Sequence, residues 1–192
     1  MAQNDLPRFQ PLTGVYEPSG IHQLADGRFI VVEDEERHAL GLLSIEAGRV
    51  RHTALEAPFW SWGDGDFWKL DDLEGVTADW AGNIYAITSH SRDSDGDERK
   101  SRERLVRFRI EGDSVVDPRV VGSLKRDLTA AHPELAAAAG IRQVKSEGGL
   151  NIEALAMSAD QNRLLTGFRS PLVDGRAIIA SIENPGAIFD GD

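Results

Sequence analysis

The sequence predicts an all-β fold of repeated antiparallel units, because one phrase occurs in it three times. In each copy an apolar residue and a glutamate are followed by a short run, a polar turn and a strand-like stretch. The glutamates of the three copies are Glu17, Glu74 and Glu153. Internal repetition of short strands is typical of β-propellers and related arrays.

Each copy continues into a third strand of alternating apolar residues, at 42–48, 105–112 and 177–184. A fourth, edge strand is predicted at 50–55 and at 119–124. Period-2 alternation bounded by polar turns indicates half-buried strands. The fold class is therefore predicted as a β-propeller of four-stranded antiparallel blades. The blades are expected at approximately 12–66, 70–124 and 150–192, within a single domain.

About three blades are present, whereas propellers close with about four to eight. Three blades leave two open sheet edges, and open edges pair readily with other chains. The sequence therefore predicts a partial propeller with self-association through its edges. The alternative is a small sheet-rich domain whose edges are covered by a partner copy.

Two segments interrupt the repeat. Residues 125–149 form a helical insertion in which a proline at 133, four alanines and a glycine at 140 predict a short helix. The charged segment 89–104 is predicted to be an exposed loop. The aromatic and glycine-rich stretch 59–68 is predicted to pack between blades.

Composition limits the classes of function. The 192 residues are 41% hydrophobic and 28% charged, as in globular proteins, and include no cysteine. Disulfides, thiolate zinc sites and a cysteine nucleophile are therefore excluded. The formal net charge of −11 disfavours nucleic acid and favours a cationic ligand or metal. No membrane helix and no secretion signal are visible, so a cytoplasmic location is expected.

The repeat geometry predicts where the functional residues meet. The first strand of a propeller blade lines the channel, and the antiparallel second strand returns its end to the same face. That face receives the three repeat glutamates together with second-strand ends. The second-strand residues singled out are Asp34, His90, Arg92 and Arg169.

Clustered carboxylates raise one another's pKa unless a cation or an arginine compensates them. Glu17, Glu74 and Glu153 are therefore predicted to bind a metal, with Ca²⁺ as the hard cation that suits carboxylate oxygens. Alternatively, these glutamates accept backbone N–H bonds from the neighbouring blade. Arg169 is predicted to pair with one of them, either as a structural lock or as an anchor for an anion.

His90 is the candidate catalytic proton carrier, with an ordinary loop histidine as the alternative. Asp34, Arg92 and Arg169 are the candidate ligand-binding residues at the channel mouth. A small molecule or a metal is thus the expected partner. The G-x-S-x-G, H-E-x-x-H and phosphate-loop phrases are absent from the sequence.

The residues 149–156, 168–172, 177–179 and 183–185 resemble the bacterial domain of unknown function 3616, an uncharacterised propeller family. Its motif usually reads N-I-E-G-L-A, and Ala154 here replaces the glycine. The phrase 72–77 resembles that of phytase-like esterase propellers. More distantly it is similar to the gluconolactonase and regucalcin group, in which the equivalent glutamate binds metal. The resemblance covers roughly residues 12–186.

Two functions follow from these observations and the resemblance. The first is a metal-dependent hydrolase of the phytase-esterase or lactonase type, acting at the channel mouth. The alternative is a non-catalytic propeller that binds a small ligand or a protein there. Propellers support many unrelated activities, so the fold alone does not decide between these two.

Overall fold

The structure is a computed structural model that describes residues 12–34, 39–47, 49–57 and 65–190. The described part contains three antiparallel sheets whose strands follow one another in sequence. The first sheet consists of β1 (Pro18–Gln23), β2 (Phe29–Glu33), β3 (Leu40–Glu46) and β4 (Arg49–Ala54). The second consists of β5 (Leu73–Ala78), β6 (Ile84–Thr88), β7 (Leu105–Glu111) and β8 (Ser114–Val121). The third consists of β9 (Asn151–Met157), β10 (Arg163–Val173) and β11 (Arg176–Glu183).

The sheets are arranged as consecutive propeller blades. Strand β5 contacts both β1 and β9, so the first strand of the middle sheet lies between the first strands of its neighbours. This places the three first strands on the inside of an arc, as in a propeller. The predicted all-β, partial-propeller fold class is confirmed. The predicted blade limits stay a prediction.

Two hydrophobic cores hold the blades together. The core between the first and second sheets includes Ile30, Val32, Leu42, Val76, Ile84 and Phe108. The core between the second and third sheets includes Ile87, Leu105, Leu155, Leu164 and Phe168. Burying a side chain of this size stabilises a protein by about 1.5–3 kcal/mol. The blades are therefore held together chiefly by apolar packing between sheets.

A glycine in the repeated phrase is explained by the distance between blades. A Cβ atom at Gly75 would lie 2.7 Å from the backbone nitrogen of Leu155 in the third sheet. A Cβ at Gly20 would lie 3.3 Å from the backbone nitrogen of Val76 in the second. The inner strands thus approach too closely for a side chain at Gly75 and leave only a tight fit for one at Gly20. Ala154, at the corresponding position of the third blade, is exposed and tolerates its methyl group.

The predicted helix in the insertion is confirmed. The segment forms α1 (Leu124–Ala131), α2 (Pro133–Ala139) and α3 (Val144–Glu147). In α2 the proline occupies the first turn and Gly140 the C-terminal cap, as the sequence predicts. Leu135 and Ala138 of α2 are buried in the core of the second and third sheets. None of the helices in the described segments is long and apolar enough to cross a bilayer.

The prediction that residues 89–104 form an exposed loop is wrong for the ends of the segment. The side chains of Ser89, His90 and Ser91 are buried, and Lys100–Arg102 form a 3₁₀ turn. The N–H of His90 donates to the carbonyl of Arg102 at 2.8 Å. The segment therefore folds back on itself against the end of the second blade. Alternating charges are typical of exposed loops, and the sequence does not show which residues of the segment would contact one another in the fold.

The aromatic stretch 59–68 is described only in part, since residues 58–64 lie outside the described ranges. Phe67 is buried in the core between the first and second sheets. Its ring meets those of Trp68 and Phe108 edge-on, with centroids 5.0 and 5.4 Å away. This part of the stretch packs between blades, as expected.

Candidate functional site

The mouth of the channel is shaped by an irregularity that recurs in all three blades. The first two strands of each blade lose their one-to-one register at the corresponding place. The extra residue there is Ser19 in the first blade, Glu74 in the second and Glu153 in the third. Bulges of this kind redirect a side chain and often occur beside functional sites.

The register corrects one prediction. Glu74 and Glu153 occupy equivalent positions, but Glu17 lies two residues before the corresponding residue, Ser19, and precedes β1. Aligning the phrase on its glutamate missed this offset because the bulge is invisible in the sequence. The true equivalents of Glu17 are Asp72 and Asn151. The N–H of Asp34 donates to the backbone carbonyl of Glu17, and the N–H of Ser89 donates to that of Asp72. In the third blade, Ser170 is the strand partner of Asn151.

A cavity of about 490 Å³ opens where these residues meet. Five predicted site residues line it, and they come from all three blades: Asp34, Glu74, Arg92, Glu153 and Arg169. Glu17 and His90 are not among its lining residues. The lining residues that sequence reasoning missed include Asp72, Arg102, Lys145 and Asn151. A polar residue two positions before each bulge was the available signal for Asp72 and Asn151.

Asp34 and Asp72 form the centre of the carboxyl cluster. The N–H of Asp72 donates to the carbonyl of Asp34 at 3.2 Å, and their carboxyl groups are also hydrogen-bonded. Burial and the contact with Asp72 raise the pKa of Asp34 to about 7. The pair therefore holds one proton below about pH 7, on Asp34, and loses it as the pH rises through that value.

Asp72 is kept ionised by its other partners. Burial alone would raise its pKa, but hydrogen bonds from Asp34 and Ser89 and the charge of Arg102 lower it. The hydroxyl of Ser91 donates to Asp72 Oδ2 at 3.1 Å, and Arg102 Nη1 donates to the same oxygen at 3.0 Å. Asp72 thus has a fixed orientation and a permanent negative charge.

Arg102 connects the cluster to the neighbouring loop. It donates from Nε to Asp71 at 2.8 Å as well as from Nη1 to Asp72. Arg102 is the last residue of the 3₁₀ turn Lys100–Arg102, and this turn places its side chain at the cavity. One guanidinium therefore compensates two adjacent carboxylates, which explains why Asp72 tolerates its buried position.

Glu74 contributes the second proton of the site. The pKa of Glu74 is raised to about 8, chiefly by burial and then by the negative charges of Asp72, Glu153 and Asp34. At neutral pH this carboxyl is mostly protonated. The cavity therefore contains two carboxyl groups, Asp34 and Glu74, that exchange protons near physiological pH.

The predicted pairing of Arg169 with a repeat glutamate is confirmed. Arg169 Nη1 lies 2.9 Å from Glu153 Oε1, and the Asn151 amide donates to the same oxygen at 3.0 Å. Both charged side chains are partly exposed. Such a pair contributes little to stability, so it is free to rearrange when a ligand binds.

His90 is buried in this fold. Its side chain is 1% exposed, and its Nδ1 lies 2.8 Å from the carbonyl of Thr88. Because a carbonyl only accepts, Nδ1 carries the hydrogen, and the buried Nε2 has no partner among the described residues. Burial lowers the pKa of His90 to about 4. The ring is therefore neutral at pH 7 and does not reach the cavity that it was predicted to serve.

The residues fit a calcium site only in part. Among the described residues, no group of three or more His, Asp or Glu side chains is arranged to hold a metal ion. Glu17 is outside the cavity lining, and Glu153 is already paired with Arg169. In the described structure neither Glu17 nor Glu74 has a compensating cation within hydrogen-bond distance, and of these two only Glu74 lines the cavity.

Comparisons with known proteins leave the family open. No protein-family model matches the chain, and no curated protein sequence matches it. The resemblance to the domain of unknown function 3616 therefore stays a prediction.

Several solved structures are similar to the chain at low sequence identity. The PQQ domain of a pyranose dehydrogenase from Coprinopsis cinerea shares 13% identity with a TM-score of 0.49, over 91% of this chain and 35% of that one. A putative glucose dehydrogenase from Thermus thermophilus shares 17% with a TM-score of 0.45, over 90% and 46%. The aldose sugar dehydrogenase of Streptomyces coelicolor shares 13% with a TM-score of 0.41, over 88% and 44%. The chain spans less than half the length of each, and likeness at this level does not transfer an activity.

Proposed function

We propose that the protein is a hydrolase that acts on a small polar substrate by carboxyl acid–base chemistry in the channel-mouth cavity. The observation that carries this proposal is the grouping of the Asp34–Asp72 pair with Glu74 in one cavity. Two groups that exchange protons near the working pH are what general acid–base catalysis requires. Carboxyl groups whose environments separate their pKa values can take different roles at one pH.

The roles follow from the order of the two pKa values. Asp34 ionises at about pH 7 and then can accept a proton from an attacking water molecule. Glu74 stays protonated to about pH 8 and can donate a proton to the leaving oxygen. Asp72, held by Arg102 and Ser91, orients Asp34 and keeps its pKa high. Both groups are in the required state between about pH 7 and 8.

The cavity lining contains a cation that can stabilise negative charge developing on a substrate. Arg92, Arg142 and Lys145 line the cavity along with the carboxyl groups, and Arg92 and Arg142 are paired with Glu98 and Asp97, whereas Lys145 makes no salt bridge to a described residue. A phosphoester or a carboxyl-derived ester or lactone places its oxygens where such cations stabilise developing charge. These bond types are also the ones that the sequence resemblance implies.

A hydrolysis panel tests the proposal. Initial rates would be measured with nitrophenyl phosphate, nitrophenyl acetate and butyrolactone across the pH range. We expect turnover in at least one arm, with a bell-shaped pH profile whose maximum lies between about pH 7 and 8. Asp34→Asn and Glu74→Gln should each lower kcat by about a hundredfold or more. Asp113→Asn, an exposed carboxylate paired with Arg28, is the matched control and should leave kcat unchanged.

Absence of turnover in every arm would favour the alternative, a non-catalytic propeller that binds its ligand at the same cavity. Retention of full activity in both Asp34→Asn and Glu74→Gln would remove the acid–base roles even if hydrolysis were observed. The two results are distinguishable: the first is a lack of hydrolysis by the wild type with every substrate, and the second is hydrolysis that persists in both variants.

Calcium binding is a second proposal, favoured by the position of Glu74. Its carboxyl holds a proton because neighbouring carboxylates repel its charge, and a cation could replace that proton. We expect calcium to raise the melting temperature of the wild type more than that of Glu74→Gln, with Asp113→Asn behaving as wild type. An equal response of all three proteins would argue against a calcium site at Glu74.

A further inference from the structure

A second cavity adjoins the carboxyl cavity on the side of the helical insertion. It has a volume of about 600 Å³ and lies between α2–α3 and the end of β10. Its apolar lining consists of Ala137, Ala138, Ile141, Pro171, Leu172 and Val173. We call it the apolar groove. Val144, Lys145, Asn151 and Arg169 line both cavities, so the groove and the carboxyl cavity share a boundary.

The shared boundary contains an unpaired acceptor. Asn151 is 7% exposed, and its amide NH₂ donates to Glu153 at 3.0 Å. Because a carboxylate only accepts, the assignment of the NH₂ to this side is fixed, and Oδ1 points away from Glu153. Oδ1 is buried and has no hydrogen-bond partner among the described residues. Buried polar atoms are rarely left unpaired, so this oxygen is an acceptor that a ligand O–H or N–H donor would satisfy.

The same boundary contains two cations. Lys145 is exposed on α3 and makes no salt bridge to any described residue, and Arg169 is paired only with the partly exposed Glu153. The groove also contains Glu134 and Glu147, which would repel an anion placed further along it. The boundary is therefore the favourable place for an anionic group, with an apolar chain extending past Leu172.

Resting on the proposed hydrolase function, we infer that the substrate is an amphipathic anion. Its carboxylate or phosphate lies at Lys145 and Arg169, a hydroxyl or amide donor meets Asn151 Oδ1, and its alkyl chain occupies the apolar groove. The scissile bond then lies next to the carboxyl cluster. The groove would thus select substrates by chain length, and the boundary would select them by charge.

Binding of stable probes tests this inference without turnover. Calorimetric titrations of the full chain would use butanoate, octanoate, octylphosphonate, whose C–P bond is not an ester, and octylammonium. We expect octanoate to bind more tightly than butanoate, by up to about fourfold for each methylene that enters the groove, since a buried CH₂ contributes about 0.8 kcal/mol. The relative affinities of octylphosphonate and octanoate distinguish the two kinds of anion. Octylammonium should bind at least tenfold more weakly than both.

Two variants separate the parts of the inference. Leu172→Ser should abolish the advantage of octanoate over butanoate. Lys145→Gln should weaken both carboxylates by a similar factor. Ile45→Ser, which removes a side chain of similar exposure on β3, is the control and should bind as wild type.

Equal affinity for butanoate and octanoate, or stronger binding of octylammonium than of octanoate, would overturn the inference. Chain-length-dependent binding without hydrolysis of any substrate would support the groove and reject the hydrolase. Hydrolysis without chain-length-dependent binding would support the hydrolase and reject the groove.

Discussion

The backbone N–H of Asp72 donates to the carbonyl of Asp34, and the carboxyl groups of the same two residues are hydrogen-bonded. Asp34 follows the second strand of the first blade, and Asp72 precedes the first strand of the second. The junction between the blades is therefore also the centre of the carboxyl cluster. Substitutions that alter the charge here should affect both the stability of the fold and the chemistry of the cavity.

Glu74→Gln should make the protein more stable at alkaline pH. The folded pKa of Glu74 is raised to about 8 from the ordinary 4.5, so between these values the folded state binds more protons than the unfolded state. The free energy of unfolding therefore falls as pH rises through this window, and an uncharged glutamine avoids that loss. Melting temperatures at about pH 4 and about pH 9 measure the effect, which should appear only at the higher pH. A variant with the same pH slope as the wild type would contradict the prediction, and Asp113→Asn is the control.

Gly75→Ala should destabilise the packing of the second blade against the third. The added methyl carbon would lie 2.7 Å from the backbone nitrogen of Leu155, which cannot move independently of β9. Overpacking of this kind costs about 1–3 kcal/mol, measurable by urea denaturation. Gly65→Ala is the matched control, because no atom lies within 4 Å of its Cβ position. Equal free energies of unfolding for the two variants would show that the second and third blades can move apart enough to accommodate the methyl group.

Arg102→Ala should reduce the free energy of unfolding by about 2 kcal/mol, because it removes charge-assisted hydrogen bonds to Asp71 and Asp72. The pKa of Asp72 should rise when its counter-charge is removed, which proton NMR or a shifted pH–stability curve would detect. The control is Arg126→Ala, whose pair with Asp127 is exposed and should contribute less than about 1 kcal/mol. A similar decrease in the free energy of unfolding in both variants would mean that the bonds of Arg102 to Asp71 and Asp72 contribute no more to stability than an exposed surface pair.

His90→Asn should remove a stability loss at acid pH. The folded pKa of His90 is lowered to about 4 from the ordinary 6.5, so the unfolded state binds more protons between these values. The free energy of unfolding of the wild type therefore falls as pH drops through this window, and the variant lacks this contribution. Asparagine also tolerates the left-handed backbone at this position, where φ is 57°.

The hydrolysis assay gives the same variant a second readout. If His90 is structural, His90→Asn should retain kcat for whichever substrate is turned over. A loss of about a hundredfold or more in kcat at an unchanged melting temperature would restore the catalytic role that the sequence suggested.

The sequence predicted the blades because strand alternation and polar turns are local signals. The same phrase also predicted that Glu74 and Glu153 occupy equivalent positions, and both are the extra residues of equivalent bulges. It misplaced Glu17 because the register of a bulge depends on the partner strand, which the phrase does not contain. Ser19 occupies that position in the first blade.

The remaining site residues could not be predicted from the repeat. Arg102 comes from a segment whose charges looked solvated, and Lys145 comes from the helical insertion. Both reach the cavity only through contacts between distant parts of the chain. The burial of His90 could not be predicted either, because nothing in its neighbouring residues indicates it.

The hydrogen bonds between blades also determine when the cavity can exist during folding. Each sheet joins strands that follow one another in the chain, so a single blade closes only short loops and loses little loop-closure entropy. The cavity instead requires two hydrogen bonds between blades. The N–H of Asp72 donates to the carbonyl of Asp34 in the first blade, and the N–H of Ile152 donates to the carbonyl of Ser89 at 2.8 Å. It is therefore completed only when separately formed blades associate. A ligand bound there holds three sheets in register, and its dissociation rate should follow the loosening of blades rather than the unravelling of strands.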